Sequence, residues 1–243
     1  MSFPGRSIFA LLLFVSLPVF AQTAAPQPPP DPQELEIANL IATAGTLIGQ
    51  GRAADALTQA IDPAIVKADA KLAAESRKVY TARTMEESLL YMTTAATGGQ
   101  GAVVYHVAWS QPYFLKGYIL NELGRTADAR LFIQRALDMA PMNAQYLIEM
   151  GNLETKAKDW DAGLKIFLKA EEAANVFTPQ NTKAADLAKA LRGQGFVYVE
   201  MNRLEEAEAI YRRCLSNDPN DKRAAGELQY VLQQRAKQAA PGH

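Results

Sequence analysis

Histidine and cysteine, the side chains that most often bind zinc or carry out nucleophilic catalysis, are scarce in this sequence. The 243 residues include two histidines, His106 and His243, and one cysteine, Cys214. These side chains are too few to form the four-ligand site that zinc prefers, and no group of acidic residues has the spacing of metal ligands. The sequence therefore predicts neither a metal site nor a bound cofactor.

Two other patterns that could support chemistry are better explained by the elements that contain them. The acidic pairs Glu171-Glu172 and Glu205-Glu206 occur in helical patterns, where adjacent charges are usually solvated. The glycine-rich segment 98–101 lacks the lysine and the serine or threonine that end a phosphate-binding loop, and no strand is predicted before it. We therefore predict that the protein is not an enzyme.

The charge balance argues against one large class of partner. The chain has 25 basic and 26 acidic residues, a formal net charge of −1, and the two signs are interspersed. Nucleic-acid-binding proteins usually have a basic stripe or patch, and this sequence has no such stripe. We expect a protein or peptide partner and no nucleic acid.

The first 21 residues have the pattern of a signal peptide. Arg6 precedes an apolar run at 8–20, and Val19-Phe20-Ala21 ends this run in the form that signal peptidases accept. A membrane-spanning helix needs about 20 apolar residues, more than this run provides. We expect cleavage after Ala21 and export, preferably to a bacterial periplasm, which leaves no membrane span in the mature chain. An uncleaved anchor and a eukaryotic secretory route are the alternatives.

The segment after the leader, 22–32, is rich in proline and predicts an extended linker. The apolar positions of 33–50 recur at intervals of three and four, which predicts a helix. Gly51-Arg52 then repeats the pattern of Gly124-Arg125, so 33–108 is interpreted as a degenerate first repeat followed by irregular helices. We expect the helix near Pro63 to end early or to restart there. We also expect 64–97 to be helical, either throughout or with an interruption near 81–84, and 102–107 to be an irregular connector or the lead-in to the next helix.

A set of small, apolar and helix-ending residues recurs downstream at intervals of 34 and then 44 residues. The second interval equals the first plus an insertion of ten residues, which we expect to form a loop at 178–183. The pattern predicts helix pairs at 110–143, 144–177 and 188–221, an amphipathic capping helix up to residue 237, and a tail at 238–243. The aligned residues are Gly117, Ala129, Ile133, Ala136 and Pro141, then Gly151, Gly163, Phe167, Ala170 and Asn175, then Gly195, Ala207, Tyr211, Cys214 and Pro219.

These residues and this period resemble the tetratricopeptide repeat (TPR), over 109–237 and more weakly over the first helix pair. The resemblance implies an all-α solenoid of antiparallel helix pairs, with extra N-terminal helices and a C-terminal capping helix. It also implies a concave groove lined by the first helix of each pair. By position, the peptide-binding groove would contain Phe114, Tyr118, Asn121, Glu122, Asn152, Lys156, Lys189, Arg192 and Phe196.

The function implied by this resemblance is binding of a peptide or protein segment in the groove, in the cell envelope. The apolar part of the ligand would contact Phe114, Tyr118 and Phe196, and polar groups of the groove would orient it. The clamp of lysine and asparagine by which some TPR domains hold a terminal carboxylate is not reproduced, because Phe114 and Tyr118 occupy its first positions. The alternative is an accessory or regulatory subunit of an envelope enzyme, for example one acting on the cell wall, that docks through surfaces outside the groove.

Overall fold

The structure of the protein, a computed structural model, describes residues 31–239; the predicted signal peptide, most of the linker and residues 240–243 lie outside them. Most of the described chain is helical. In order, the helices are α1 (Pro32–Gly49), α2 (Ala53–Ala56), α3 (Asp62–Ala73), α4 (Met85–Thr97), α5 (Gln111–Glu122), α6 (Thr126–Met139), α7 (Ala144–Lys156), α8 (Trp160–Val176), α9 (Gln180–Glu200), α10 (Leu204–Asn217) and α11 (Lys222–Ala239). Between residues 31 and 239, no helix has the length and apolar character needed to cross a membrane.

The helices pack in the order that the repeat pattern predicts. α5 packs against α6, α7 against α8 and α9 against α10, and α11 packs on α10 at the end of the array. α1 likewise packs against the helical segment formed by α2 and α3. The predicted fold class is therefore confirmed: the described chain is an all-α solenoid of helix pairs with extra N-terminal helices and a C-terminal capping helix.

Four turns within helix pairs share one backbone geometry. Each contains one residue with positive φ: Gly51 at 74°, Gly124 at 76°, Lys158 at 59° and Asn202 at 56°. The residue after it donates its backbone N–H to a carbonyl five positions earlier, as Arg125 does to Leu120 at 2.8 Å. This left-handed closure satisfies carbonyl groups at the end of the first helix. The N-terminal pair is closed by the same geometry as the three later pairs.

The helical segment that contains Pro63 continues without a break. A π-helical turn, Leu57–Ile61, joins α2 to α3, and Asp62 donates its N–H to the carbonyl of Leu57, five residues earlier. Proline has no N–H and its ring crowds the carbonyl four residues before it, so an ordinary α-helical turn is unfavourable here. The wider π turn removes this conflict and places Pro63 in the first turn of α3.

Two strands replace part of the helical and irregular structure that we expected between residues 64 and 107. β1 (Lys78–Ala82) and β2 (Ala102–His106) form a parallel two-stranded ladder, with Lys78 opposite Ala102 and α4 as the crossover between them. The expectation of helix at Val79-Tyr80 and of a connector at 102–107 was wrong. Both segments are short and rich in β-branched and aromatic residues, which favour strands once a partner strand is present. Neither segment alone shows that the other is its partner.

The insertion between the second and third pairs is mostly helix rather than the predicted loop. α9 begins at Gln180 and has 21 residues, whereas α5 and α7 have 12 and 13. Pro179 occupies the N-cap position, where its missing N–H leaves no helical bond unmade, and the alanine-rich segment after it has high helix propensity. At the other end of the described chain, Pro32 begins α1 and Asp31 caps it, so these two residues of the predicted 22–32 linker belong to the helix and its cap.

Arg83, between β1 and α4, connects the β1–α4 segment to the insertion. Its guanidinium lies 3.6 Å from the carboxylate of Glu87 and 3.7 Å from that of Asp186, which belongs to the lengthened part of α9. Both carboxylates are buried, and burial raises the pKa of Glu87 and of Asp186 while the charge of Arg83 opposes that shift. The two features that depart from the repeat pattern are thus held together by one group of charges.

Candidate functional site

One face of the solenoid forms an open cavity of about 1100 Å³. The first helices of the three C-terminal pairs, α5, α7 and α9, form most of its wall, and α11 completes it. All nine residues that the sequence placed in the peptide-binding groove line this cavity: Phe114, Tyr118, Asn121, Glu122, Asn152, Lys156, Lys189, Arg192 and Phe196. Their use by a ligand stays a prediction.

Close packing between paired helices forms the floor of the cavity. Phe167, from α8, lies against two glycines, Gly151 of its own pair and Gly193 of the next pair. Tyr211, from α10, lies in the same way against Gly195. A Cβ atom added at any of these glycines would come within 3.0 Å of an aromatic ring atom, so only glycine allows the helices to approach this closely.

Aromatic side chains are present on both walls. Phe114 and Tyr118 are half-buried, and the ring of Phe114 stacks on Tyr146 at a centroid distance of 4.7 Å. On the opposite wall Phe196 is 43% exposed and meets Trp160 edge to face at 6.2 Å. Burial raises the pKa of Tyr118, and the charges of Glu122 and Glu149 add to the shift, so this phenol remains neutral. The cavity therefore presents rigid apolar surface that is still open to solvent.

The polar side chains of α5 and α7 bond to one another. Asn121 donates to Glu149 at 2.6 Å and accepts a hydrogen bond from Lys156 at 2.7 Å. Asn152 donates to the second carboxylate oxygen of Glu149 at 3.2 Å. Because Glu149 and Asn121 are buried, these bonds offset the cost of removing polar groups from water. A ligand that uses Asn121 or Asn152 must replace a bond that is already made.

Arg192 has a structural partner in Asp221. Its guanidinium pairs with one oxygen of that carboxylate, and the other oxygen accepts the backbone N–H groups of Arg223 and Ala224, both at 3.1 Å. Asp221 is thus the N-cap of α11, and Arg192 fixes the capping helix to α9. The positional argument that assigned Arg192 to a ligand did not include this contact.

The contribution of α11 to the cavity was missed from the sequence. Lys222, Arg223, Gly226 and Glu227, all in its first two turns, line the cavity together with the predicted residues. The sequence analysis assigned this helix only the role of covering the last pair. The signal that could have located the site is the pair of cations directly after Asp221, because basic residues are unfavourable at a helix N-terminus.

Cys214 and the acidic residues show no arrangement for catalysis in the described part of the chain. Cys214 is buried, and burial raises the pKa of its thiol to about 11, so it is a protonated packing residue at neutral pH. Residues 31–239 contain no group of three or more histidine, cysteine or acidic side chains that could hold a metal ion.

Comparison with known proteins agrees with this geometry. A family model described as the tetratricopeptide repeat matches residues 110–143 and 188–221. Two of the three C-terminal helix pairs therefore match the tetratricopeptide repeat. The TPR model does not match 144–177, but α7 and α8 are closed by the same left-handed turn, at Lys158, as their neighbours. No curated protein matches the sequence.

Solved structures that match this chain include several that are titled as TPR domains. The structure titled as a functional characterisation of Pseudomonas aeruginosa pilF has a TM-score of 0.56 at 12% identity, covering 85% of this chain and 72% of that one. At that identity the likeness concerns the fold alone. The first TPR of Spaghetti (RPAP3) bound to an HSP90 peptide has a TM-score of 0.46 at 20% identity, covering 52% and 93%. The N-terminal domain of stress-induced protein-1 from C. elegans has a TM-score of 0.45 at 16% identity, covering 52% of this chain and 96% of that one.

Proposed function

We propose that this TPR protein is a protein-interaction module that binds an extended or helical protein segment in the cavity between α5 and α11. The observation that carries the proposal is the open cavity with aromatic walls. A concave site with exposed Phe196 on one side and half-buried Phe114 and Tyr118 on the other can bury the apolar side chains of a segment. The hydrogen-bonded polar groups of α5 and α7 hold the wall in a fixed shape, which lowers the entropy cost of binding.

Peptides selected from a random display library on the purified protein provide the test. Tyr118→Ala and Phe196→Ala should each weaken binding of a selected peptide about tenfold, because each removes a large apolar contact. Tyr230→Ala is the matched control, since Tyr230 is 45% exposed on α11 and does not line the cavity. Fluorescence anisotropy measures the affinity and thermal unfolding checks the fold. Equal binding by all three folded variants would remove the cavity from the proposal.

A second candidate function is docking of an accessory subunit through α4, outside the groove. Met85, Leu89 and Met92 are 79%, 66% and 44% exposed, and their spacing places them along one side of α4. Photo-crosslinking amino acids at Leu89 and at Phe196, in cells that express the protein, separate the two functions. A specific crosslink only from position 89 would favour docking through α4, and one only from 196 would favour the groove.

We further propose that the protein acts after export, with the bacterial envelope as its location. The support is the leader pattern, in which Arg6 precedes the apolar run and Ala21 ends it. Fractionation of cells and N-terminal sequencing of the mature protein test this, with Gln22 expected as the first residue. Ala21→Arg should block cleavage and leave a longer chain attached to the membrane. A cytoplasmic protein that retains residues 1–21 would contradict the proposal.

A further inference from the structure

The charge of the cavity differs from that of the whole chain. Five cationic side chains line it (Lys156, Lys189, Arg192, Lys222 and Arg223) against three carboxylates (Glu122, Glu149 and Glu227). The complete chain, in contrast, has a formal net charge of −1. The cavity is therefore a positive region on a protein that is slightly acidic, and it attracts anionic groups.

The available positive charge is concentrated at the α9–α11 end. Lys156 is bonded to Asn121, and Arg192 is paired with Asp221. Lys189, Lys222 and Arg223 are exposed, and none of them has a carboxylate within 4.0 Å among residues 31–239. Asp186 and Glu227, the acidic groups nearest to them along α9 and α11, do not form such a pair.

Two of these three cations occupy positions that oppose helix stability. Lys222 and Arg223 are the first two residues of α11, where the helix dipole disfavours positive charge, and the first turn contains no acidic residue. The N-cap carboxylate of α11, Asp221, is already used by Arg192 and by the backbone N–H groups of the first turn. An anion bound between α9 and α11 would relieve the repulsion between these cations and complete the site.

We propose that the groove selects a protein segment in which apolar residues are followed by a cluster of acidic side chains, and that α11 supplies the contacts to the acidic cluster. The inference rests on the groove function proposed above. The apolar residues occupy the cavity beside Phe114 and Tyr118, and the acidic side chains lie against Lys189, Lys222 and Arg223. Three separate cations on two helices match several carboxylates along a segment better than a single terminal carboxylate. The capping helix is thus part of the recognition surface.

Three labelled synthetic peptides of equal length test the proposal with the full purified protein. Each has an amidated C-terminus and the same apolar half, followed by a run of glutamate, glutamine or lysine. The glutamate peptide should bind most tightly. Raising the salt from about 20 mM to about 300 mM should lower the affinity of the glutamate peptide toward that of the glutamine peptide, whose own affinity should not change. The double variant Lys222→Gln/Arg223→Gln should weaken binding of the glutamate peptide about four- to 25-fold, because each exposed ion pair contributes a factor of about two to five. Lys237→Gln, in the last turn of the same helix and outside the cavity, is the matched control and should have no effect.

The outcomes separate this inference from the groove function. If Tyr118→Ala weakens all peptides while the double variant changes none, the groove stands and the acidic preference is wrong. If the glutamate peptide fails to bind while library-selected peptides bind the groove, the acidic preference is also wrong. A free-acid form of the glutamine peptide is the last arm; tighter binding of this form than of the amidated glutamate peptide would assign the cations to a chain terminus and overturn the proposal.

Discussion

Gly117 of α5 lies directly against Ile133 of α6. A Cβ atom at position 117 would be 2.5 Å from Ile133 Cγ1 and 2.9 Å from the backbone oxygen of Ala129. The same contact recurs between Gly151 and Phe167 in the next pair. Gly195 meets Tyr211 in the same way, so a small residue in the first helix and a large one in the second set the separation of the two helices in the three C-terminal pairs.

Gly117→Ala should destabilise the protein by about 1–3 kcal/mol, because the backbone oxygen of Ala129 cannot move away from the added methyl group. This loss exceeds the gain of about 1 kcal/mol in helix propensity. Gly45→Ala is the control, since a Cβ at Gly45 in α1 meets no atom within 4 Å and should stabilise the protein. Urea denaturation measures both. A stabilised Gly117→Ala variant would contradict the role assigned to this contact.

Lys158 adopts the left-handed conformation that glycine adopts in the equivalent turn at Gly124. Lys158→Gly should therefore stabilise the protein by about 0.5–1 kcal/mol, since the strain at the turn exceeds the entropy cost of glycine in the unfolded chain. Gly124→Ala should destabilise it by a similar amount, because alanine is strained at positive φ. Thermal and urea unfolding measure the two changes, which should have opposite signs.

Arg83→Met should destabilise the protein by about 3 kcal/mol at neutral pH, because it leaves the buried carboxylates of Glu87 and Asp186 without their cation. Burial raises the folded-state pKa of both groups above the ordinary value, so the folded state binds more protons than the unfolded chain as the pH falls. Protonation removes the unpaired charges of Glu87 and Asp186. The loss of unfolding free energy in the variant, relative to the native protein, should therefore become smaller at acidic pH.

Urea denaturation at neutral and mildly acidic pH checks this dependence. The control is Arg77→Met, which removes a cation from a more exposed pair with Glu75 and should change the unfolding free energy little. If the loss of unfolding free energy in the Arg83 variant is the same at both pH values, lost packing rather than the two carboxylates explains the effect.

Arg192→Ala should loosen α11 without unfolding the array. It removes the ion-pair partner of Asp221, the N-cap residue of that helix. Hydrogen exchange of backbone amides in α11 should become faster, while exchange in α7 should remain as in the native protein. Lys189→Ala, three residues earlier on α9 and without such a pair, should change neither helix. Equal protection of α11 in both variants would rule out a role for Arg192 in fixing this helix.

The turns and the glycine contacts were predictable because they depend on residues close together in sequence. A 34-residue period with small residues at fixed positions is enough to predict helix pairs and the side of each first helix that faces the groove. The ladder between β1 and β2 was not predictable in this way. The strands are separated by α4, and the pairing depends on a contact that neither segment encodes alone.

The roles of the polar groove residues also depended on distant contacts. Position along the helix predicted that Asn121, Asn152 and Arg192 would line the cavity, and they do. Position alone could not indicate that Glu149 accepts hydrogen bonds from both asparagines or that Asp221 pairs with Arg192. Glu149 and Asp221, the partners of these residues, occupy positions that the repeat pattern does not specify.

The sequence by itself determined the all-α repeat architecture, since helix periodicity and the spacing of small residues are local properties of the chain. Only the tertiary structure decided how the irregular parts join the array and which charges remain available in the cavity. Arg83 and Asp186 are brought together across two helix pairs, and Lys222 reaches the groove because α11 packs on α10. Electrostatic partners are set by distance in space, and the chain fixes that distance only when it folds.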